Sequence, residues 1–245
     1  MMRYKLVIAY DGTSYHGWQE QPDQVTVAGT LQKTFENVFK QPITIVGASR
    51  TDAGVHSLGQ VAHFTTDIQL SPERLLFAWT NSLPLDIKLR SITPVSLEFH
   101  AQKNVLEKTY YYMFFTERPL PFWSRYGFYY KKSFDKELLS KALSIFNGTH
   151  DFRSFCTGYD QDTTIRHINS IRLGYNRRYR SYYIIVQGPG FLRYMIRRIV
   201  GSALDVASYK YSLEDLKYAL QEKDPEQPFT TAPACGLLLR RICYA

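Results

Sequence analysis

Residues 47–56 read Gly47-Ala48-Ser49-Arg50-Thr51-Asp52-Ala53-Gly54-Val55-His56. This loop connects two predicted strands, and its small residues would let a substrate approach the backbone closely. Gly54 permits a positive φ. Arg50, Thr51 and Asp52 can present a cation, a hydroxyl group and a carboxylate at one point. Taken alone, the same residues are also typical of a tight turn in which Asp52 caps backbone amides and Arg50 pairs with it.

Outward from this loop, the first half of the chain predicts elements in the order β-α-β-β-α-β. Apolar periodicity predicts one helix over 27–40, with Thr26 as its cap, and a second helix from Ser71-Pro72 to Pro84. Short runs rich in β-branched residues predict strands at 3–10, 43–46, 60–66 and 87–92.

The second half repeats this order. Strands are predicted at 109–115, 165–173, 181–187 and 237–244, and helices at 135–146, 191–207 and 213–221. The βαββαβ order is the ferredoxin-like pattern, which RNA-recognition modules share. We therefore expect an α+β fold in which two halves, residues 1–103 and 104–245, merge into one mostly antiparallel sheet with helices packed on it. The aromatic signature of the RNA-recognition motif is absent from the sequence, which disfavours a plain double RNA-recognition module.

Charge and aromatic residues favour a polyanionic partner. The chain has 30 Lys and Arg against 22 Asp and Glu, a net charge of +8. Many of its 19 tyrosines lie beside basic residues, as in 108–112 and 177–183. Basic groups neutralise phosphates while aromatic rings stack on exposed bases, so this pattern indicates nucleic-acid binding. The alternative is that half of each tyrosine run faces a core, as alternation in a strand requires.

The three cysteines have no zinc-ligand spacing and no pairing typical of a disulfide framework. This favours a reducing cytoplasm, and no stretch is long enough to predict a membrane span. His56 and His63 could be metal ligands, but no cysteine or carboxylate completes such a site in the sequence. We therefore predict structural roles for both and no metal.

The segment Arg50-Thr51-Asp52-Ala53-Gly54-Val55-His56 resembles the catalytic signature of the TruA family of tRNA pseudouridine synthases. The resemblance covers nearly the whole chain, because further segments similar to the family follow in order: 10–12, 15–19, 59–64, 81–84, 99–101, 108–112, 151–155, 191–201 and 232–237. Four residues depart from the family pattern: Glu20, Gly29, Ser49 and Gln102. Two of them, Glu20 and Gln102, replace expected basic residues and put RNA contacts in doubt.

The resemblance implies the pseudouridine synthase fold and an isomerase that converts uridine to pseudouridine in the anticodon stem-loop of tRNA, at positions 38, 39 and 40. It implies no cofactor, and it implies a homodimer. Asp52 would be the catalytic nucleophile, or an electrostatic partner at the sugar or the base. Arg197 matches the family arginine that pairs with this aspartate, and Tyr110 matches the tyrosine that contacts the uracil. Arg50 would fill the space of a flipped base or hold the phosphate backbone.

Several roles stay open at this stage. Tyr111 suits a core position better than Tyr110, and Arg193 and Arg198 are expected to be exposed and to contact phosphate. A non-catalytic RNA-binding protein on the same scaffold would explain the charge and topology but not the Arg-Thr-Asp loop. A glycosidase-like hydrolase using Asp52 with Glu98 or Asp86 would need two carboxylates at a defined separation.

Overall fold

The computed structural model describes residues 1–158 and 163–245, and the chain divides into two compact units. The first unit contains Met1–Leu106 and Leu239–Ala245, and the second contains Glu107–Leu238. The expected halves, 1–103 and 104–245, differ from these units mainly because the last residues of the chain group with the first unit.

The first unit has the expected order of elements, beginning with β1 (Met2–Tyr10) and α1 (Val27–Phe39). They are followed by β2 (Val46–Gly47), β3 (His56–Thr66), α2 (Pro72–Ser82) and β4 (Ile87–Val95). Strand β1 pairs antiparallel with both β3 and β4, and β2 pairs antiparallel with β3. The predicted βαββαβ pattern of this half is therefore confirmed.

The core of the first unit lies between the two helices and the sheet. Thr26 caps α1 and Ser71 caps α2, as predicted. On the buried faces, the rings of Phe35 and Trp79 meet edge to face with centroids 4.8 Å apart, and Phe64 lies 5.5 Å from Trp79. Such contacts stabilise the unit beyond the burial of apolar area alone.

The second unit begins with β5 (Val105–Phe115), β6 (Phe128–Tyr129) and α3 (Lys136–Ser144). The chain continues through β7 (Gly148–Asp151), β8 (Ile165–Ile168), β9 (Ser170–Asn176) and β10 (Ser181–Gly188). It ends with α4 (Met195–Ala207), α5 (Leu213–Glu222) and β11 (Leu237–Tyr244). Strand β10 pairs antiparallel with β5 and β9, β6 pairs parallel with β5, and β7 and β8 form a separate two-stranded sheet. The α+β class is confirmed.

Several boundaries differ from the predictions, and three of these differences have a local cause. The strand at 43–46 is wrong, because the backbone N–H of Ile45 donates to the side chain of Gln32 (2.8 Å) instead of to a neighbouring strand. The predicted strand 165–173 divides at Asn169, whose N–H donates to the carbonyl of Gln187. Helix α4 begins at Met195 and not at 191, because Tyr194 has a φ of 61°, which a right-handed helix does not accommodate.

The last residues of the chain are held by the first unit. Ser57 donates to the carbonyl of Leu239 (3.3 Å), and the Tyr244 hydroxyl donates to the carbonyl of Ala101 (2.6 Å). The ring of Phe99 lies 5.4 Å from that of Tyr244. Residues 239–245 are thus an integral part of the first unit.

Within the described ranges, 1–158 and 163–245, none of the helices is long and apolar enough to cross a membrane.

Candidate active site

The loop at residues 47–56, called the Asp52 loop below, connects β2 to β3 in the first unit. Thr51 and Val55 are buried, Asp52 is half-buried and Arg50 is exposed. The N–H of Val55 donates to the carbonyl of Asp52 (3.2 Å), which closes a turn, and Gly54 has the predicted positive φ (76°). The backbone of the loop is therefore fixed, while the side chains of Arg50 and Asp52 reach its surface.

The segment that follows β1 holds the Asp52 loop on one side. The N–H of Trp18 donates to the carbonyl of Thr51 (3.1 Å), and the N–H of Gly54 donates to the carbonyl of Tyr15 (3.2 Å). The hydroxyl groups of Tyr10 and Thr51 lie 2.8 Å apart in a buried hydrogen bond. Buried polar groups with satisfied hydrogen bonds specify one conformation, so β1 and the segment after it fix Thr51, directly before Asp52, and Gly54, two residues after it.

Two glycines allow the close approach of these backbones. Gly17 has a φ of 90°, and a Cβ atom at this position would lie 2.6 Å from the carbonyl oxygen of Thr51. A Cβ at Gly12 would lie 2.0 Å from the carbonyl oxygen of Val55. Both distances are shorter than van der Waals contact, so any other residue at either position would displace the Asp52 loop.

Two glutamine side chains hold the other side of the loop. Gln60, which is fully buried on β3, accepts from the N–H of Ser49 (3.2 Å) and donates to its carbonyl (2.6 Å). Gln102 donates to the carbonyl of Gly47 (3.0 Å). Sequence reasoning missed both roles. The signal for Gln60 was a polar residue at the start of the predicted strand 60–66, and Gln102 was identified only as a departure from an expected arginine.

The two histidines have the structural roles expected of them. Nδ1 of His56 lies 3.1 Å from both the N–H of Gly12 and Oδ1 of Asp11, so it accepts from the first when neutral and donates to the second when protonated. Nδ1 of His63 accepts from the N–H of Ala101 (3.2 Å). Burial, with His100 and Arg3 nearby, lowers the pKa of His63 to about 4. Outside residues 159–162, no group of three or more His, Cys, Asp or Glu side chains could hold a metal ion.

Tyr110 lies on β5 of the second unit and is 5% exposed, with its ring 5.5 Å from that of Phe191 in an edge-to-face contact. Its neighbour Tyr111 points to the opposite side of the strand. There it is half-buried and stacks on Tyr183 at 5.8 Å. The expectation that Tyr111 is the better core residue is wrong, because the register of β5 buries Tyr110, Tyr112 and Phe114 on the same face.

Arg197 lies in the first turns of α4, and its guanidinium group is held in one orientation. Nε donates to the carbonyl of Ala232 (2.8 Å), and the N–H of Ala232 donates back to the carbonyl of Arg197 (3.0 Å). The guanidinium carbon lies 4.7 Å from the ring centre of Tyr194, a cation–π contact. Arg197 also partly offsets the rise in the pKa of Tyr112, which burial raises well above its usual range.

Arg198 is a structural residue, and the expectation that it contacts phosphate from an exposed position is wrong. Its guanidinium group donates to the carbonyls of Ser154 (3.1 Å), Cys156 (3.0 Å) and Pro225 (3.0 Å). Arg193 is exposed as expected, but it precedes α4 and so does not lie on the helix. Asp52 and Arg50 thus belong to the first unit, and Tyr110 and Arg197 belong to the second.

A sequence model described as tRNA pseudouridine synthase matches residues 6–102 and 142–245. The chain belongs to this family. It is 36% identical to tRNA pseudouridine synthase A 1 of Protochlamydia amoebophila, over 98% of this chain and 96% of that protein. It is also 35% identical to tRNA pseudouridine synthase A of Thermodesulfovibrio yellowstonii over the full length of both chains. Identity to tRNA pseudouridine synthase A 1 of Desulfotalea psychrophila is 38%, over 98% of each chain.

Proposed function

We propose that this member of the family isomerises uridine to pseudouridine in the anticodon stem-loop of tRNA, with Asp52 as the catalytic nucleophile. Membership of the family supports the reaction class, an isomerase acting on tRNA. The observation that supports Asp52 is the construction of its loop. Hydrogen bonds hold the backbone at Ser49 and Thr51 before Asp52 and at Gly54 after it, while Asp52 itself is half-buried.

A nucleophile needs this combination of a fixed backbone and an accessible carboxylate. Holding a reacting group in one orientation removes much of the entropic barrier of the step. In the reaction the bond between N1 of uracil and C1′ of ribose breaks, the base turns, and a bond forms between C5 and C1′. The hydrogen on C5 leaves as a proton and N1 gains one, so no oxidant, reductant or cofactor is consumed.

Arg50 supports the delivery of the uridine. A base in a stem must leave the stack before it can react, at a cost of a few kcal/mol. Arg50 is exposed two positions before Asp52. From there its guanidinium group would bind the phosphate backbone or occupy the space that the flipped base leaves.

Tyr110 and Arg197 would complete the chemistry from the second unit. Tyr110 would position the uracil and take part in proton transfer at C5, which requires its hydroxyl group. Arg197 would supply the cation that keeps the catalytic carboxylate ionised. The fixed guanidinium orientation, set by Ala232 and Tyr194, supports this role because electrostatic stabilisation depends on preorganised groups.

We also propose a cytoplasmic homodimer. All three cysteines are free thiols, which suits a reducing compartment. The dimer rests on the family resemblance alone, and sedimentation of the purified chain measures it directly.

The test of the function uses tRNA carrying tritium at C5 of uridine. Because C5 loses its hydrogen when it bonds to C1′, we expect tritium to appear in water and pseudouridine to appear in intact RNA. A non-catalytic RNA-binding protein would bind the tRNA and release nothing. A hydrolase using Asp52 with Asp86 or Glu98 would release free uracil. Either of the last two results would overturn the proposal.

A further inference from the structure

Two exposed segments that are far apart in the sequence meet on the surface of the second unit. One is the loop 117–126 that follows β5, and the other is the turn 176–180 between β9 and β10. The rings of Trp123 and Tyr179 lie 4.7 Å apart, and Arg180 forms an ion pair with Glu117 (2.7 Å). We call these two segments together the aromatic–arginine surface; its arginines and aromatic residues are Arg118, Phe122, Trp123, Arg125, Tyr126, Arg177, Arg178, Tyr179 and Arg180.

This surface exposes large apolar groups to water. Phe122 is 81% exposed, Leu120 is 65% exposed and Trp123 is 39% exposed. Single exposed apolar residues are common, but three within four positions mark a site where another molecule binds. The rest of the unit does not cover these side chains.

The charge of the surface identifies the kind of partner. The two segments contain five arginines, and Glu117 is their only acidic residue. The guanidinium group of Arg178 lies 5.6 Å from the ring centre of Tyr179, so cation and ring are presented together. Arginines neutralise phosphates and aromatic faces stack on bases, which is the combination that RNA requires. A second copy of the same surface would oppose like charges, because a two-fold contact places each patch against itself.

Local hydrogen bonds fix the shape of both segments. The side chain of Asn176 accepts from the N–H of Arg178 (3.0 Å) and of Tyr179 (3.3 Å), which holds the turn. In the loop, the N–H of Trp123 donates to Leu120 (2.9 Å) and the N–H of Tyr126 donates to Trp123 (3.0 Å). Fixed segments lose less conformational entropy on binding, so the surface is preorganised for a partner.

The surface lies beyond the C-terminal end of β5, whereas Tyr110 lies in the middle of the strand. In the β5–β10 pair, Tyr110 is opposite Val186, whereas Phe115, five residues further along, is opposite Ser181 at the β9–β10 turn. Five residues of an extended strand span about 17 Å. An RNA with its reacting uridine at Tyr110 therefore meets the surface with a different part of the molecule.

We propose that the aromatic–arginine surface is a second RNA site, which binds phosphates and an unstacked base of tRNA outside the anticodon stem-loop. The proposal rests on the proposed function only in taking tRNA as the substrate. It adds a recognition site that distinguishes a whole tRNA from its isolated stem-loop.

Filter binding of wild type and of the Arg177→Ala/Arg178→Ala double variant tests the site with two RNAs, full-length tRNA and the isolated anticodon stem-loop. We expect the double variant to weaken binding of full-length tRNA by about tenfold or more and to lower the salt slope by about 2, since each lost phosphate contact lowers it by about 1. Binding of the stem-loop should change by less than about threefold. The charge-matched control is Lys33→Ala/Lys217→Ala, which removes two exposed lysines elsewhere. The proposal would be overturned if the double variant lost equal affinity for both RNAs, or if the control variant lost as much affinity for full-length tRNA as the double variant does.

Trp123 provides a second readout that does not depend on activity. The other two tryptophans, Trp18 and Trp79, are 1% and 0% exposed, so acrylamide quenches mainly the fluorescence of Trp123. We expect full-length tRNA to protect this emission and the stem-loop not to, and Trp123→Phe should abolish the protected component. Unchanged quenching at saturating tRNA would overturn the proposal. The proposal would also be overturned if Trp123 became protected from acrylamide as the protein concentration rises without RNA, because a second copy of the chain would then cover the surface.

The filter-binding and quenching results can be distinguished from a failure of the proposed isomerase function. If the wild type binds tRNA but releases no tritium, the isomerase proposal fails while the binding and quenching results still decide the second site.

Discussion

The Asp52 loop and the aromatic–arginine surface are built in different ways within the same chain. The loop is built from buried backbone, with glycine contacts too close for any side chain and hydrogen bonds on both sides. The surface is built from exposed rings and guanidinium groups, joined by the contact between Trp123 and Tyr179. The proposed reaction requires the carboxylate of Asp52 in one position, whereas RNA phosphates can be bound by long exposed side chains on a fixed backbone. The two regions therefore differ in how far their functional side chains extend into solvent, and not in the order of their backbones.

The sharpest test of this contrast is Asp52→Asn, which keeps the size of the side chain but removes its charge and nucleophile. We expect tritium release to fall by at least about 10⁴-fold, since a lost covalent step is not replaced by positioning. The Kd for tRNA should stay within about threefold of wild type, because the phosphate contacts remain.

The matched control for this change is Asp23→Asn, at an exposed position with a φ of 57° that asparagine tolerates. It should keep normal turnover. If Asp52 only capped a turn, asparagine would replace it well, since the two residues cap with similar strength. Tritium release from Asp52→Asn at a tenth of the wild-type rate would contradict the assignment.

Three arginines near the start of α4 are expected to differ in their effects on turnover and on stability. Arg197→Ala should lower turnover by about 10² to 10³-fold, as the loss of one preorganised electrostatic group does in other enzymes. Arg193→Ala, which removes an exposed charge, should change turnover by less than about threefold. Arg198→Ala leaves three carbonyls without their donor and should lower the free energy of unfolding by about 2 kcal/mol or more.

Turnover and urea unfolding measured on the three variants distinguish these roles. A similar loss of turnover in Arg197→Ala and Arg193→Ala, with unchanged stability in both, would mean that these arginines supply only general positive charge.

Tyr110→Phe keeps the ring against Phe191 and removes only the hydroxyl group. We expect turnover to fall by about 100-fold, typical of a lost acid–base group, with binding preserved. Tyr111→Phe, on the opposite side of β5, serves as the control and should retain near-normal turnover. Single-turnover tritium release measures both, and near wild-type rates for Tyr110→Phe would make Tyr110 a packing residue.

Gly17→Ala tests the rigidity of the Asp52 loop directly. The new Cβ would meet the carbonyl of Thr51 at 2.6 Å in a left-handed backbone conformation. We expect a loss of about 2 kcal/mol or more in the free energy of unfolding, because both the strain and the contact oppose the native state. At Gly190 no atom lies within 4 Å of such a Cβ, so Gly190→Ala should change stability by less than about 0.5 kcal/mol. Equal urea midpoints for the two variants would refute the tight fit.

The smallest effect concerns His63, which supports the same unit from β3. Its pKa is about 4 in the folded chain and 6.5 when exposed, so the unfolded chain binds a proton first as the pH falls. Burial opposes protonation of this ring most, and His100 and Arg3 add to the effect; Lys5 is the neighbour of His63 across the strand pair. The resulting stability is present above pH 6.5 and is lost toward pH 4, by about 1.5 kcal/mol between pH 6.5 and 5.

His63→Asn keeps an acceptor for the N–H of Ala101 and should remove this pH dependence from the urea midpoint. His16→Asn, at an exposed histidine, should leave the dependence as it is. An identical slope in wild type and His63→Asn would assign the pH dependence to other groups.

Local chemistry explains which elements the sequence could predict. Helices α1 and α2 were predicted because their caps, Thr26 and Ser71, stand directly before apolar periodicity. The start of α4 was missed because the apolar pattern continues through Tyr194, and periodicity does not reveal a left-handed backbone angle. The strand at 43–46 was wrongly predicted for a related reason. Its β-branched residues favour a strand, but the side chain of Gln32 takes the backbone hydrogen bond instead.

The residues of the candidate site also fall into two groups: those that the sequence could predict and those that it could not. Arg50 and Asp52 come from the motif, Tyr110 and Arg197 come from two other segments that resemble the family, and the catalytic roles of all four stay predictions. The residues that fix the Asp52 loop, such as Gln60 and Gly17, act through contacts between segments distant in sequence. Arg198 was misassigned because the spacing of an arginine on a helix does not show whether its guanidinium group meets solvent or three carbonyls.

The attachment of residues 239–245 to the first unit affects the order in which the chain folds during synthesis. Domains commonly fold from the N-terminus as they leave the ribosome. Here the segment that carries Asp52 is made early, but the bond from Ser57 on β3 to Leu239 and the bond from Tyr244 to Ala101 form only after the whole second unit has been translated. The nascent first unit therefore exposes a strand edge throughout elongation, and the Asp52 half of the enzyme matures last although it is translated first.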